Sequence, residues 1–193
     1  MTTKAAQEIG EEQIIRVDEN DRCVGFIGKH AAHEGGGVLH RAFSIFIFNA
    51  QQQVLLQQRS LQKYHFGGRW TNTCCSHPRR DEAIEAAAHR RLQEECGFDV
   101  PLQEIFSFVY QAHDADSNLT EWEYDHVFIG EFNGEPTINE AEIAAWKWMN
   151  LADVRLDMER NPQCYTAWFH IALDKVIDCV GNDDPLGDTK SGG

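Results

Sequence analysis

Residues 81–98 read DEAIEAAAHRRLQEECGF, and the prediction of the fold starts from this stretch. Apolar residues recur every four positions from Ile84 to Leu92, which places them on one face of an α-helix. Gly97 stands where such a helix would end, because glycine adopts left-handed backbone dihedrals without strain. We therefore predict a helix over Asp81–Cys96, with an apolar face that packs against another element.

Segments rich in β-branched and aromatic residues lie on both sides of this helix. The run AFSIFIF at residues 42–48 is typical of a strand, and Gln53–Arg59 is expected to pair with it as a hairpin. Asn161 and Pro162 begin a final helix that extends to about Val180, because asparagine caps helices and proline suits the first turn. The predicted strands are Ile14–Val17, Arg22–Ile27, Val38–Asn49, Gln53–Arg59, Glu104–Tyr110, Glu123–Phe132 and Ala144–Met149. Strands in the middle with helices against them predict an α+β fold.

Length and charge restrict the class of protein. The 193 residues favour one domain over residues 1–193, with flexible polar tails at 1–12 and 183–193. The chain has 17 Lys and Arg against 31 Asp and Glu, and the net charge of −14 argues against nucleic acid or an anionic membrane as partner. No apolar run is long enough to cross a bilayer, and no signal peptide opens the sequence. We therefore expect a soluble, cytoplasmic protein.

The cysteines fit the same interpretation. The chain has six of them: Cys23, Cys74, Cys75, Cys96, Cys164 and Cys179. No CxxC pair is present, which argues against a zinc site made of thiolates. In a cytosolic protein of this size we expect reduced thiols, most of them packed in the core.

Histidines and glutamates form a candidate metal site. His33 and His40 flank a glycine-rich loop, and His77 lies in the segment TCCSHP. Glu121 and Glu123 are two residues apart in a predicted strand and so share one face. Imidazoles and carboxylates without a required thiolate suit Zn²⁺, Mn²⁺ or Mg²⁺. The alternative to a metal site is that the three histidines are unrelated polar residues and that the two glutamates lie on a solvated edge strand.

The helix also resembles the end of the Nudix box, whose pattern is G-x5-E-x7-R-E-U-x-E-E-x-G-U, with U aliphatic or aromatic. The matching residues are Glu82, Arg90, Leu92, Glu94, Glu95, Gly97 and Phe98. Ser76 replaces the expected glycine, and Arg91 replaces a metal-binding glutamate. Because an arginine can pair with phosphate oxygens directly, the change at Arg91 favours holding a diphosphate over hydrolysing it. An ordinary amphipathic helix with i,i+4 ion pairs is the alternative.

Four further segments extend the resemblance over residues 13–180, nearly the whole chain. They are KHAAH at 29–33, LHRAF at 39–43, WTNTCCSHP at 70–78 and EWE at 121–123. In this order they resemble the type I isopentenyl-diphosphate isomerases. The resemblance implies a Nudix-like fold, in which mixed β-sheets are sandwiched by helices.

The resemblance also implies a metal centre and a second ion. It assigns one divalent metal (Zn, Mn or Mg) to His33, His40, His77, Glu121 and Glu123. Glu95 would hold a Mg²⁺ that is bound with the substrate diphosphate.

The remaining implied roles concern the substrate. Cys75 and Glu123 match the catalytic cysteine and glutamate of the family, and Tyr110 matches a tyrosine beside that glutamate. Trp168 would line the hydrocarbon pocket, and Cys74 would only pack. The expected contacts of the diphosphate are Lys29, Arg59, Lys63 and Arg91. From pattern alone Trp168 could equally pack in the core, and Cys75 could be a buried inert thiol.

The implied reaction is a 1,3-proton shift that converts isopentenyl diphosphate to dimethylallyl diphosphate, both small molecules. One proton is added and another removed at a different carbon, which suits a thiol and a carboxyl on opposite faces of the alkene. A Nudix-type pyrophosphohydrolase is the second hypothesis. A non-catalytic binding protein that retains the fold is the third.

Overall fold

The computed structural model describes residues 12–182. The expected tails lie outside the described residues, apart from Glu12, and a single domain over 1–193 stays a prediction. The strands are β1 Gln13–Val17, β2 Cys23–Gly28, β3 His40–Phe48, β4 Gln53–Arg59, β5 Trp70–Thr71, β6 Cys74–Ser76, β7 Gln103–Asp114, β8 Leu119–Glu131 and β9 Ile143–Asn150. The helices are α1 Lys29–His33, α2 Ile84–Cys96, α3 Leu151–Arg160 and α4 Ala167–Asn182. Over residues 12–182, no helix has the length and apolar character needed to cross a membrane.

The strand β3 is the centre of a mixed sheet. It pairs in parallel with β8 along its whole length, from His40 opposite Glu123 to Phe48 opposite Glu131. On its other side it pairs with β6 in the antiparallel sense. The expected hairpin with β4 is confirmed only at its turn, where Phe48 faces Val54. Beyond that pair the two strands separate, and β4 pairs with β9 instead.

Both faces of β3 are buried. Side chains alternate between the two faces of a strand. Phe43, Ile45 and Ile47 pack with Leu92 of α2, whereas Phe46 packs in a second cluster. The α4 residues of that second cluster are Trp168, Phe169, Ala172, Leu173 and Val176. The fold is therefore α+β, with helices on both faces of a mixed sheet, as the sequence predicted.

The helix α2 confirms most of the local prediction. Gly97 ends it in the left-handed conformation (φ 77°), and its N–H donates to Gln93 O. The beginning was predicted too early, since α2 starts at Ile84 rather than at Asp81. Asp81 has a φ of 61°, and Ala83 is extended, so neither residue can belong to a right-handed helix.

The C-terminal region differs more from the prediction. A single helix from Asn161 to Val180 is wrong, because a short 3-10 turn at Pro162–Cys164 is followed by Tyr165 in extended conformation. Tyr165 forms a bridge with Trp70, and its hydroxyl donates to Asp157 Oδ2 at 2.6 Å. These contacts outside the segment stabilise the break, and α4 begins after it. The elements α1, α3, β5 and β6 were not predicted.

Gly97 provides a direct test of this helix end. A Cβ at this position would lie 2.7 Å from Thr137 O, and the φ of 77° is unfavourable for any L-residue with a side chain. Gly97→Ala is therefore expected to lower the free energy of unfolding by about 1 kcal/mol or more, measured by urea denaturation. Gly36→Ala is the control, since a Cβ there would meet nothing within 4 Å. Equal denaturation midpoints for the two variants would contradict the strain argument.

Candidate functional site

Three histidines and two glutamates from separate elements meet in one buried cluster. His33 ends α1, His40 begins β3 and His77 follows β6. Glu121 and Glu123 share one face of β8, and Glu123 lies in register with His40. The potential ligand atoms of these five side chains all lie within 4.8 Å of one another. The predicted set is thus brought together, and its burial excludes a solvated edge strand.

The backbone orients two of the imidazole rings toward the carboxylates. His33 Nδ1 lies 2.6 Å from Lys29 O, and His40 Nδ1 lies 2.7 Å from Val38 O. A carbonyl oxygen only accepts, so each Nδ1 carries a proton, and each Nε2 is turned toward a carboxylate of the cluster. His33 Nε2 lies 2.8 Å from Glu121 Oε2, and within residues 12–182 neither buried atom has a further hydrogen-bond partner. A cation bound by both atoms would satisfy them, since an imidazole nitrogen and a carboxylate oxygen are both metal ligands.

His77 supports the same assignment. Its Nε2 lies 2.8 Å from Glu123 Oε1, and burial lowers the pKa of His77 to about 3. The ring is therefore neutral at physiological pH, which is the form that binds metal. Neutral imidazoles and carboxylates are the ligands that Zn²⁺, Mn²⁺ and Mg²⁺ accept, so the cluster fits a divalent ion.

Glu123 joins this cluster to the wall of a pocket. One of its oxygens faces His77, while the other accepts a hydrogen bond of 2.5 Å from the hydroxyl of Tyr110. Burial and the neighbouring carboxylates raise the pKa of Tyr110, so the phenol keeps its proton at neutral pH. The pair can therefore hold a proton close to a substrate in the pocket.

Cys75 lies on β6 and lines the same pocket as Glu123 and Tyr110. Its thiol donates to Asn72 Oδ1 at 3.0 Å, and its sulfur accepts a hydrogen bond of 3.1 Å from Trp168 Nε1. Part of its surface is open to the pocket. Burial of the sulfur nevertheless raises the pKa of Cys75 to about 12. The side chain is thus a neutral thiol rather than a thiolate at pH 7.

Trp168 contacts both the hydrophobic core and the pocket, and its contact with a hydrocarbon stays a prediction. Its side chain, on α4, is 3% exposed and packs in the hydrophobic core, but it also lines the pocket. Its ring centroid lies 5.3 Å from that of Phe66, in an edge-to-face arrangement, and 6.5 Å from that of Tyr110. The indole therefore contacts the sulfur of Cys75 and the aromatic ring of Phe66 at the same time.

The cations expected to contact a diphosphate all line this pocket. They are Lys29, Arg59, Lys63 and Arg91. Glu95, which was expected to hold a second ion, is 2% exposed and contacts Arg91, but it is not among the described residues that line the pocket. In a chain with a net charge of −14, four cations in the wall of one pocket suit an anionic group.

Several polar side chains of the site were not predicted. His65 contacts Glu121, and Glu142 contacts both Lys63 and Arg91. Asp125 is buried and accepts a hydrogen bond of 2.8 Å from Ser44 Oγ. The alternation of side chains along β8 could have indicated Asp125, since residues 121, 123 and 125 share one face of the strand.

Burial and the nearby Glu123 raise the pKa of Asp125. No such periodicity marks His65 or Glu142, because both lie outside strands and helices. Their positions follow from the paths of loops.

Comparison with known proteins gives the family. A family model described as NUDIX domain matches residues 38–169. A protein of Photorhabdus laumondii named Isopentenyl-diphosphate Delta-isomerase 2 is 52% identical over 174 residues, which span 90% of this chain and 95% of the relative. A protein of the same name from Aromatoleum aromaticum is 49% identical over 88% of each chain.

The crystal structure of DR0079 from Deinococcus radiodurans has a similar fold. It superposes with a TM-score of 0.67 at 17% identity and covers 85% of this chain and 98% of its own. At that identity it is evidence for the fold alone. The family model and the relatives together cover most of the sequence, and the isomerases among them align nearly from end to end. The chain therefore belongs to the NUDIX family and, within it, to the isopentenyl-diphosphate Delta-isomerases.

Proposed function

We propose that this protein interconverts isopentenyl diphosphate and dimethylallyl diphosphate by moving a proton between two carbons of the alkene. The observation that carries the proposal is one pocket lined by a thiol, Cys75, and by a hydrogen-bonded Tyr110–Glu123 pair. The four cations of the same pocket suit the diphosphate. Homologues named for this reaction support the assignment.

The chemistry requires two proton-transfer groups and a dry pocket. Protonation of one alkene carbon forms a tertiary carbocation, and removal of a proton from another carbon gives the product. In our proposal Tyr110 and Glu123 act at one carbon, and Cys75 acts at the other. Trp168 excludes water, and its ring face stabilises the positive charge by about 2 kcal/mol when desolvated.

A divalent ion completes the proposed site. We assign Zn²⁺, Mn²⁺ or Mg²⁺ to the five-residue cluster that contains His33, His40 and Glu121. When bound, the ion supplies positive charge that keeps the adjacent carboxylates ionised and in place. A Mg²⁺ bound with the diphosphate is assigned to Glu95, which lies against Arg91 at the edge of the cation cluster.

The hydrolase hypothesis has less support. Arg91 stands where the hydrolase pattern has a metal-binding glutamate, and it ion-pairs with Glu95. A binding protein without catalytic activity would not need the Cys75 thiol opposite a carboxyl. The acidic surface supports a small substrate rather than a nucleic acid or a membrane, and cytoplasmic location stays a prediction.

Incubation with isopentenyl diphosphate and Mg²⁺ in deuterated water tests the proposal. An isomerase is expected to form dimethylallyl diphosphate that carries deuterium, detected by NMR. Release of phosphate or pyrophosphate with the carbon chain unchanged would instead identify a hydrolase. Recovery of undeuterated substrate alone would favour the binding protein.

His65 is expected to position the carboxylate of Glu121. The Nε2 of His65 contacts Glu121 Oε1, while Oε2 of the same carboxylate faces His33. His65→Ala should weaken metal affinity by about 10–100-fold, the usual effect of removing a group that orients a ligand. A competition titration with a chelator measures this affinity.

Two further variants complete the test. His65→Gln should retain part of the affinity, because its amide can still donate to Glu121. His89→Ala is the control, since His89 is 37% exposed and contacts Asp99 on the surface. Equal metal affinity of His65→Ala and the control would refute the positioning role.

A further inference from the structure

Two of the cations that line the proposed diphosphate pocket already form ion pairs with one carboxylate. Lys63 Nζ contacts Glu142 Oε2, and Arg91 Nη2 lies 3.1 Å from Glu142 Oε1. Arg91 also contacts Glu95, so one guanidinium lies between two carboxylates. A diphosphate that reaches Lys63 and Arg91 therefore meets groups whose charges are already paired.

The backbone holds Glu142 in this position. The residue directly precedes β9, and its N–H donates to Asn139 O at 2.9 Å. Its carbonyl oxygen accepts a hydrogen bond of 2.9 Å from the N–H of Ser60, at the end of β4. The side chain is 22% exposed, against 20% for Lys63 and 14% for Arg91. These ion pairs are thus partly shielded from water and stronger than pairs on the surface.

Glu142 is ionised at neutral pH. Burial acts to raise its pKa, but Lys63 and Arg91 outweigh burial and lower the pKa to about 2. At neutral pH a fixed negative charge therefore lies against two of the cations that line the pocket, although Glu142 is not itself among the described residues that line it.

We infer that Glu142 makes the pocket selective for the magnesium complex of a diphosphate over the metal-free anion. A bare diphosphate next to Glu95 and Glu142 is repelled by two carboxylates and must also displace Glu142 from its cations. Mg²⁺ reduces the negative charge of the ligand and offers a cation toward these carboxylates. The selectivity thus arises from an unfavourable contact with the wrong ligand form, rather than from a better contact with the right one.

This inference rests on the proposed assignment of Lys63 and Arg91 to the diphosphate, but not on the isomerase reaction. Inorganic pyrophosphate is therefore the probe, and its binding is measured by calorimetry with and without added Mg²⁺. No chelator is used, so that an ion in the His and Glu cluster is retained. Since the readout is binding, a protein that failed the deuterium experiment could still confirm the role of Glu142.

Glu142→Gln keeps the shape of the side chain and removes its charge. We expect this variant to bind pyrophosphate about tenfold or more tightly than the wild type when Mg²⁺ is omitted. With Mg²⁺ present, we expect affinity within about twofold of the wild type, so that the dependence on Mg²⁺ shrinks. Glu142→Asp, which keeps the charge, should retain the dependence on Mg²⁺. Glu140→Gln, an exposed change of the same charge two residues away, should behave as wild type.

Three results would overturn the inference. Unchanged affinity of Glu142→Gln for metal-free pyrophosphate would mean that its ion pairs do not oppose the anion. An equal gain in the affinity of Glu142→Gln for pyrophosphate with and without Mg²⁺ would indicate that the lost charge acts on both ligand forms alike, without selectivity. A selective loss of affinity for the magnesium complex would make Glu142 a ligand of that ion.

Discussion

Replacement of Cys75 by alanine is expected to lower turnover by at least about 10²-fold, the lower range for loss of a proton-transfer group. Cys75 faces the pocket with a protonated sulfur, which hydrogen bonds to Asn72 and Trp168 hold in place. Alanine removes the proton and leaves the cations around the diphosphate intact. Steady-state kinetics with isopentenyl diphosphate should therefore show a loss in kcat. Affinity for pyrophosphate should stay close to that of the wild type.

Other cysteine variants make this result specific. Cys75→Ser keeps a hydroxyl of similar size but lacks the acidity of a thiol, so we expect it to be nearly as inactive. Cys164→Ala is the matched control, because Cys164 is exposed and outside the pocket. Near-normal turnover of Cys75→Ala would remove the thiol from the mechanism.

Replacement of His40 by alanine is expected to reduce the metal content of the purified protein from stoichiometric to a small fraction. His40 is fully buried, and Val38 O holds its Nδ1 so that Nε2 points into the cluster. Alanine removes one of the five potential ligands of the cluster. Activity should fall together with metal content, because Glu123 belongs to both the cluster and the pair with Tyr110.

Elemental analysis of the purified protein measures this effect. Wild-type protein stripped with a chelator gives the reference for the fold without metal, and its circular dichroism should match that of His40→Ala. The surface variant His89→Ala should retain its full metal content. Unchanged stoichiometry in His40→Ala would show that His40 is not a ligand.

Much of the local structure could be predicted because it depends on neighbours in the chain. The helix over Ile84–Cys96 follows from apolar residues spaced by four, and Gly97 ends it because only glycine adopts its backbone conformation easily. The strand at residues 40–48 follows from alternating apolar residues. The five residues of the metal cluster could be grouped as a candidate site from their residue types, and a family pattern assigned them to one ion.

The remaining features depend on contacts between distant segments. The final helix is interrupted at Tyr165 because that residue pairs with Trp70, which no local pattern indicates. The β3 and β4 strands separate because each has a better partner, β8 and β9, elsewhere in the chain. His65 and Glu142 reach the site from loops, whose paths are set by the elements they connect.

The spacing of residue types along this chain was therefore sufficient to indicate the helix α2, which carries the Nudix-like pattern, and the central strand β3. It also indicated which types of side chain are available for chemistry. It could not indicate that Glu142 neutralises Lys63 and Arg91, or that Glu121 is shared between His33 and His65. Hydrogen bonding and side-chain periodicity act over a few residues and can be recognised in a sequence. The charges that meet in the pocket come from separate elements, so their balance exists only once the strands are paired and the loops are in place.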